Sequence, residues 1–266
     1  MSKISSLKLI PLGGLNEIGK NMMVLEKDDE MIIIDCGVMF PDDEFPGVDF
    51  VIPDFSYVVK NSNKLKAIII THGHEDHIGG LPFLFKEVIA PVYATKLTKG
   101  LIELKLNDNQ IFDSVELNEI NEDDVLKIGP FTIEFFRVSH SIPDTVGIVI
   151  KTHVGTIVHS VDFKFDQSPL YGKRTEFSKI GAFGKQGVLA LLCDSTNSEQ
   201  EGYTLPEKVV GKVLLEKFTE AQGRVIVATF SSHIHRIQQI MDMSDKFQKK
   251  LAISGKSLLK TINLAG

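Results

Sequence analysis

Three of the eight histidines in this 266-residue chain fall within six positions, in Thr71-His72-Gly73-His74-Glu75-Asp76-His77. Neutral imidazoles with a carboxylate are the donor set that zinc prefers. Positions two apart in an extended chain face the same way, so His72 and His74 can converge on one ion. Asp76 and His77 come after a turn and can address a second. The competing reading, a polar surface loop, does not account for so tight a cluster. Further donors must come from elsewhere in the chain. His140 follows the run Phe135-Phe136-Arg137-Val138-Ser139. Alone it reads as structural, but beside His72 and His74 it is the natural third ligand. Asp162 follows Thr156–Val161 and is either a turn-former or a carboxylate bridging two ions. His159, on the same strand, is taken as structural. Asp35 ends the run Met31–Ile34. It is either a strand-terminal turn residue or an acceptor for the far N–H of a ligand histidine, which fixes the tautomer. Asp194 repeats the pattern after Val188–Cys193.

These residues need strands that end near one another. Ala67–Thr71 (AIIIT) is a continuous apolar run and predicts a buried strand with the histidine cluster at its C-terminal end. Open α/β sheets place ligand sites there. Met22–Glu26 and Met31–Asp35, joined by Lys27-Asp28-Asp29-Glu30, predict a hairpin. Leu7–Pro11, Asp124–Ile128, Phe131–Val138, Val146–Thr152, Thr156–Val161 and Val188–Cys193 predict further strands, the last one buried. Leu81–Val88 and Thr95–Leu106 read as helical. After Pro206 the texture changes to helix, strand, helix and strand over Glu207–Glu220, Arg224–Thr229, His235–Gln248 and Leu251–Ser254. That alternation predicts an α/β unit with a parallel sheet. The polar loop at 197–206 marks the boundary, giving domains 1–204 and 205–266.

Composition narrows the class. Apolar residues make up 43% and charged residues 24%, which excludes wholesale disorder. The chain is long enough to bury a core without a structural metal, so a metal site here is there for chemistry. The net charge of −6 argues against a simple basic nucleic-acid binder. Residues 205–266 nevertheless carry ten Lys and Arg against five Asp and Glu, which fits either a polyanion groove or an ordinary solvated face. Only Cys36 and Cys193 are present, far apart, so a disulfide framework is excluded and a reducing, cytoplasmic compartment is the expectation. No signal-peptide core and no apolar run of the roughly 18 residues of a membrane span is seen.

Asp35, His72-x-His74-x-Asp76-His77, His140 and Asp162, in that order, resemble the ligand pattern of the metallo-β-lactamase superfamily. The surroundings resemble its β-CASP nucleases of the ribonuclease J family. The matching stretches include Gly13-Gly14-Leu15-Asn16-Glu17-Ile18-Gly19-Lys20-Asn21-Met22 and Met39-Phe40-Pro41-Asp42-Asp43-Glu44. Others are His140-Ser141-Ile142-Pro143-Asp144, Asp162-Phe163-Lys164-Phe165-Asp166, Leu192-Cys193-Asp194-Ser195-Thr196-Asn197 and Ile234-His235-Arg236-Ile237-Gln238-Gln239. The resemblance implies a four-layer αβ/βα sandwich with the beginning of a β-CASP insert. It implies a cytoplasmic, RNA-cleaving phosphodiesterase acting as a 5′-to-3′ exonuclease and endonuclease in RNA decay and rRNA processing, homo-oligomeric, with no membrane partner. It implies two zinc ions, with manganese as the alternative. His72, His74 and His140 match the ligands of the first ion, Asp76 and His77 those of the second, and Asp162 the bridge. Asp35 matches the supporting aspartate, and Asp194, a candidate acid or base, the first β-CASP motif. Val161 stands where the family usually has glycine, and His233 where it often has asparagine. The family's insert continues beyond the length of this chain and supplies two more histidine motifs, so the second metal site is expected to lack a ligand. A weakly active RNA-binding fragment, or a hydrolase of thioesters or lactams on the same fold, are the alternatives.

Overall fold

The computed structural model describes residues 6–41, 45–169 and 173–265. The Asp42-Asp43-Glu44 portion of the motif above lies outside these described residues. The first sheet holds six strands in chain order: β1 (Leu7–Gly13), β2 (Met22–Lys27), β3 (Glu30–Ile34), β4 (Leu65–Ile69), β5 (Val92–Thr95) and β6 (Leu117–Ile120). Strands β1 to β3 pair antiparallel, and β3 to β6 pair parallel. The second sheet has the antiparallel series β7 (Val125–Ile128), β8 (Phe131–Arg137), β9 (Val146–Thr152) and β10 (Gly155–His159). Strand β11 (Ala190–Leu192) adds to β10 in parallel. The helices are α1 (Ser56–Lys60), α2 (Glu75–Ile78), α3 (Leu81–Leu84), α4 (Lys96–Asp108), α5 (Phe177–Gln186), α6 (Glu207–Glu220), α7 (Ile234–Lys246) and α8 (Lys256–Ala265).

Period-2 burial makes the layers. In β3, Ile33 packs with Val58 of α1, Leu84 of α3 and Ile102 of α4, while Ile32 and Ile34 point the other way. That second face meets Phe131, Ile133, Ile148 and Ile150 of the second sheet. The outer face of the second sheet, with Phe136 and Val149, is covered by Phe183 of α5. The order helix, sheet, sheet, helix is the αβ/βα sandwich. The β2–β3 hairpin turns through Asp28 and Asp29 at φ 52° and 62°. A two-residue turn with both φ angles positive matches the twist of its strands, and Asp tolerates that conformation.

Several elements differ from the sequence expectation. Strands β5 and β6 have no counterpart in it. Helix α3 is a single turn, Leu81–Leu84, and does not reach Val88. The expected strand at Val188–Cys193 is only three residues and is not buried: Leu191 is 61% exposed, since β11 has a neighbour on one side alone among the described residues. Arg224–Thr229 and Leu251–Ser254 are not strands. No described strand lies beside them to complete a ladder, so after residue 205 the described structure is helical.

Candidate metal centre

Each candidate side chain lies just past the C-terminal end of a strand. Asp35 follows β3, the histidine cluster follows β4, His140 follows β8, Asp162 follows β10 and Asp194 follows β11. The loop after β3 packs directly on α2. Cys36 N–H donates to the His77 carbonyl at 2.8 Å, and Val38 N–H to the Glu75 carbonyl at 3.1 Å. A Cβ on Gly37 would fall 1.5 Å from the Asp76 carbonyl oxygen, so only glycine permits this approach. Asp35 itself holds φ 58°.

Two groups of donors result. One donor atom from each of His72, His74, His140 and Asp162 lies within 4.8 Å of the others, and so do those of Asp76, His77 and Asp162. His74 Nδ1 is 3.1 Å from both His72 Nε2 and His140 Nε2. For nitrogen ligands at zinc's usual bond length, a tetrahedron edge is about 3.3 Å, so this spacing fits one ion. Asp162 Oδ2 lies 3.9 Å from His72 Nε2 and 3.7 Å from His140 Nε2. Its other oxygen, Oδ1, lies 3.5 Å from His77 Nε2, and Asp76 Oδ2 is also 3.5 Å from that nitrogen. The two carboxylate oxygens of Asp162 therefore face different groups.

The electrostatics suit cations. Burial pushes His72 well below the usual histidine range, and His77, His140 and His74 beside it add to the shift. Burial takes His74 to about 3, and His140 to about 4 against the pull of Asp162. These three rings are neutral, with lone pairs free to bind. His77 is raised well above its ordinary value, since the charge of Asp35 and the hydrogen bond to Asp162 outweigh burial. Asp162 is held low although burial works against it, by the hydrogen bond and charge of His77 and then by His140 and His74. Burial raises the Asp76 carboxyl.

Asp35 belongs to neither group and reaches the second through His77, whose Nδ1 lies 2.8 Å from Asp35 Oδ2. Thr71 anchors that carboxylate, donating from its backbone N–H to Oδ1 and from Oγ1 to Oδ2, both at 2.8 Å. Asp194 belongs to neither group. It lines a cavity of about 760 Å³ beside His140 and a second of about 840 Å³ beside Asp35 and His77, and Asp162 lines both. His159 is also outside the groups; its Nδ1 accepts from Val161 N–H at 2.9 Å, which braces the turn at φ 52° before Asp162. His233 caps α7, its Nδ1 accepting from Arg236 N–H at 3.3 Å. That is the capping role an asparagine would have there.

Three contacts were not anticipated from sequence. Asn21 Nδ2 lies 3.1 Å from His77 Nε2 and 3.3 Å from Asp76 Oδ2. Ser141 Oγ lies 3.2 Å from His74 Nε2, and Thr71 holds Asp35. Asn21 and Ser141 stand inside motif stretches, which was the available signal; Thr71 closes the AIIIT run.

Residues 31–178 match the model of the beta-lactamase superfamily domain, and residues 222–266 match that of the ribonuclease J beta-CASP domain. Among curated relatives, ribonuclease J of Thermus thermophilus is 45% identical, over 97% of this chain and 46% of the relative. Ribonuclease J 1 of Streptococcus pyogenes is 44% identical over 98% of this chain and 46% of its own length. The chain thus spans about half the length of the curated relatives it matches. Two solved structures share the fold. A protein of unknown function from Enterococcus faecalis has TM-score 0.63 at 16% identity, covering 94% of this chain and 71% of that one. Unliganded yeast PDE1 has TM-score 0.53 at 13% identity, covering 96% and 99%.

Proposed function

We propose that this chain, which belongs to the β-lactamase superfamily, works as part of a two-metal ribonuclease of the ribonuclease J type. The observation that carries the reading is Asp162, one carboxylate whose two oxygens face two donor groups. The relatives named ribonuclease J, similar over nearly the whole chain, supply the substrate class, RNA.

In this reading His72, His74 and His140 would hold the first ion and Asp76 and His77 the second, with Asp162 offering one oxygen to each group. Divalent ions held by these residues would supply Lewis-acid stabilisation of the charge on a scissile phosphate. Zinc suits the imidazole-rich donor set, and manganese is the alternative. Asp35 keeps a proton on His77 Nδ1, leaving Nε2 as the donor. Asp194, on the wall of both cavities, is the candidate to carry a proton to or from the reacting groups. Residues 1–204 form the catalytic domain and 205–266 the start of the β-CASP domain. Exonucleolytic 5′-to-3′ and endonucleolytic cleavage, a role in rRNA processing, a cytoplasmic site of action and a homo-oligomeric assembly belong to the same proposal. No helix among the described residues is long and apolar enough to cross a membrane.

The test is hydrolysis of a 5′-monophosphorylated RNA by the chain with added zinc or manganese, beside a lactam and a thioester substrate. Metal-dependent RNA cleavage that disappears in His74→Ala is the expected result. Turnover of the small substrates alone would assign the site to the other hydrolase class.

A further inference from the structure

One carboxylate ties the metal-centre loops to the helices after residue 205. Glu207 opens α6. Its Oε1 lies 3.0 Å from Lys164 Nζ and its Oε2 lies 2.9 Å from Arg236 Nη2 on α7. Its backbone N–H donates to Asp166 Oδ2 at 3.0 Å, and its carbonyl accepts from Gln239 Nε2 at 3.2 Å. Asp166 is buried, and its Oδ1 accepts from Ser168 N–H. Lys164 stands two residues beyond Asp162, and its N–H donates at 2.8 Å to the carbonyl of Ser139, the residue before His140. Residues 162–166 are therefore clamped between the loop that bears His140 and the first turn of α6. A second tie runs alongside, where the imidazole of His235 meets the backbone of His140.

Neither Lys164, Glu207 nor Arg236 belongs to a donor group, so direct ligation does not explain the cluster. Two cations converge on a single acid that is mostly shielded from water, its side chain 18% exposed. Removing that charge leaves two cations without their shared acid and so loosens the tie between α6 and the segment that carries Asp162.

We propose that Glu207 is a positioning residue, which through Lys164 and Asp166 sets the stance of Asp162 and so couples helices α6 and α7 to metal binding. The proposal rests on the two-metal reading above. Its test is titration of the metal-free chain with Co²⁺, whose visible absorption reports both occupancy and coordination geometry. Glu207→Gln keeps size and removes charge. The second Co²⁺, whose donor group is Asp76, His77 and Asp162, should bind about 10-fold more weakly or worse, with a shifted spectrum, and the first, which keeps three imidazoles beside Asp162, should be weakened less. Glu216→Gln, exposed on the same helix, should match the unaltered chain. Where Glu207→Gln does not fold, Lys164→Met removes the same tie from its other end and should give the same second-ion defect. Normal second-ion affinity and spectrum in these variants, with uptake by the unaltered chain intact, overturns the proposal alone. A folded, unaltered chain that takes up no Co²⁺ overturns the two-metal reading and the proposal with it.

Discussion

The three rings of the first donor group and the one ring of the second differ in what they ask of a proton. His74 and His140 stay neutral down to about 3 and about 4, so at neutral pH an incoming cation displaces no proton from them. His77 is the reverse, because Asp35 and Asp162 stabilise its imidazolium. An ion that uses His77 Nε2 must expel that proton. Affinity at the first group should therefore stay flat between about pH 6 and about pH 8, while affinity at the second falls about tenfold per pH unit lowered below the folded pKa of His77. Zinc-binding calorimetry at the two ends of that range checks this; equal pH slopes for both ions would contradict it. At the same scale, His74→Ala should abolish tight binding of the first ion, since indirect partners alone are worth about 10- to 100-fold. His153→Ala, in the exposed turn between β9 and β10, should leave it intact. Equal losses would mean that the wrong histidines have been chosen.

The elements explain what the sequence made legible. The cluster after β4 could be read because Ile68, Ile69 and Ile70 form an unbroken buried run with donors directly behind it. His140 and Asp162 could be read because they too end strands. Asn21 and Ser141 could not, because their roles depend on loops 55 and 67 residues away in sequence closing onto the same point. The strands expected near Val225 and Ile253 failed because a short apolar run becomes a strand only where another strand pairs with it, and none among the described residues does. Val161, the departure at the bridge, is explained by two opposed terms. Its left-handed backbone costs about 1–2 kcal/mol in a β-branched residue. Against that, it is 1% exposed in the cluster of Phe136, Val149 and Phe183, where a buried valine contributes about 1.5–3 kcal/mol. Burial wins. Val161→Gly should lower the stability of the metal-free chain by about 1 kcal/mol, measured by urea unfolding, because the relief of strain is smaller than the loss of packing. A more stable Val161→Gly would show that backbone strain dominates that turn.

At the scale of the whole molecule, the described structure leaves one side open. Strand β11 offers an unpaired edge, with Leu189 and Leu191 59% and 61% exposed beside it. Beyond it in sequence, Ile226 and Phe230 are 86% and 81% exposed. An unpaired strand edge with apolar flanks is a template for pairing with another chain. Repulsion opposes this, since every copy carries a net charge of −6. That repulsion acts over a screening length of about 30 Å at about 0.01 M salt and only about 8 Å at about 0.15 M, whereas the apolar contribution acts at contact and is not screened. The purified chain should therefore self-associate in a concentration-dependent way, and more strongly as salt is raised. Leu191→Lys, which places a charge on the open edge and leaves the β10 pairing of the backbone intact, should shift the distribution toward monomer. Sedimentation velocity across a concentration series at low and moderate salt decides the matter. A chain that stays monomeric throughout, or a Leu191→Lys variant that associates as strongly as its parent, would mean that this edge is not the sticky surface.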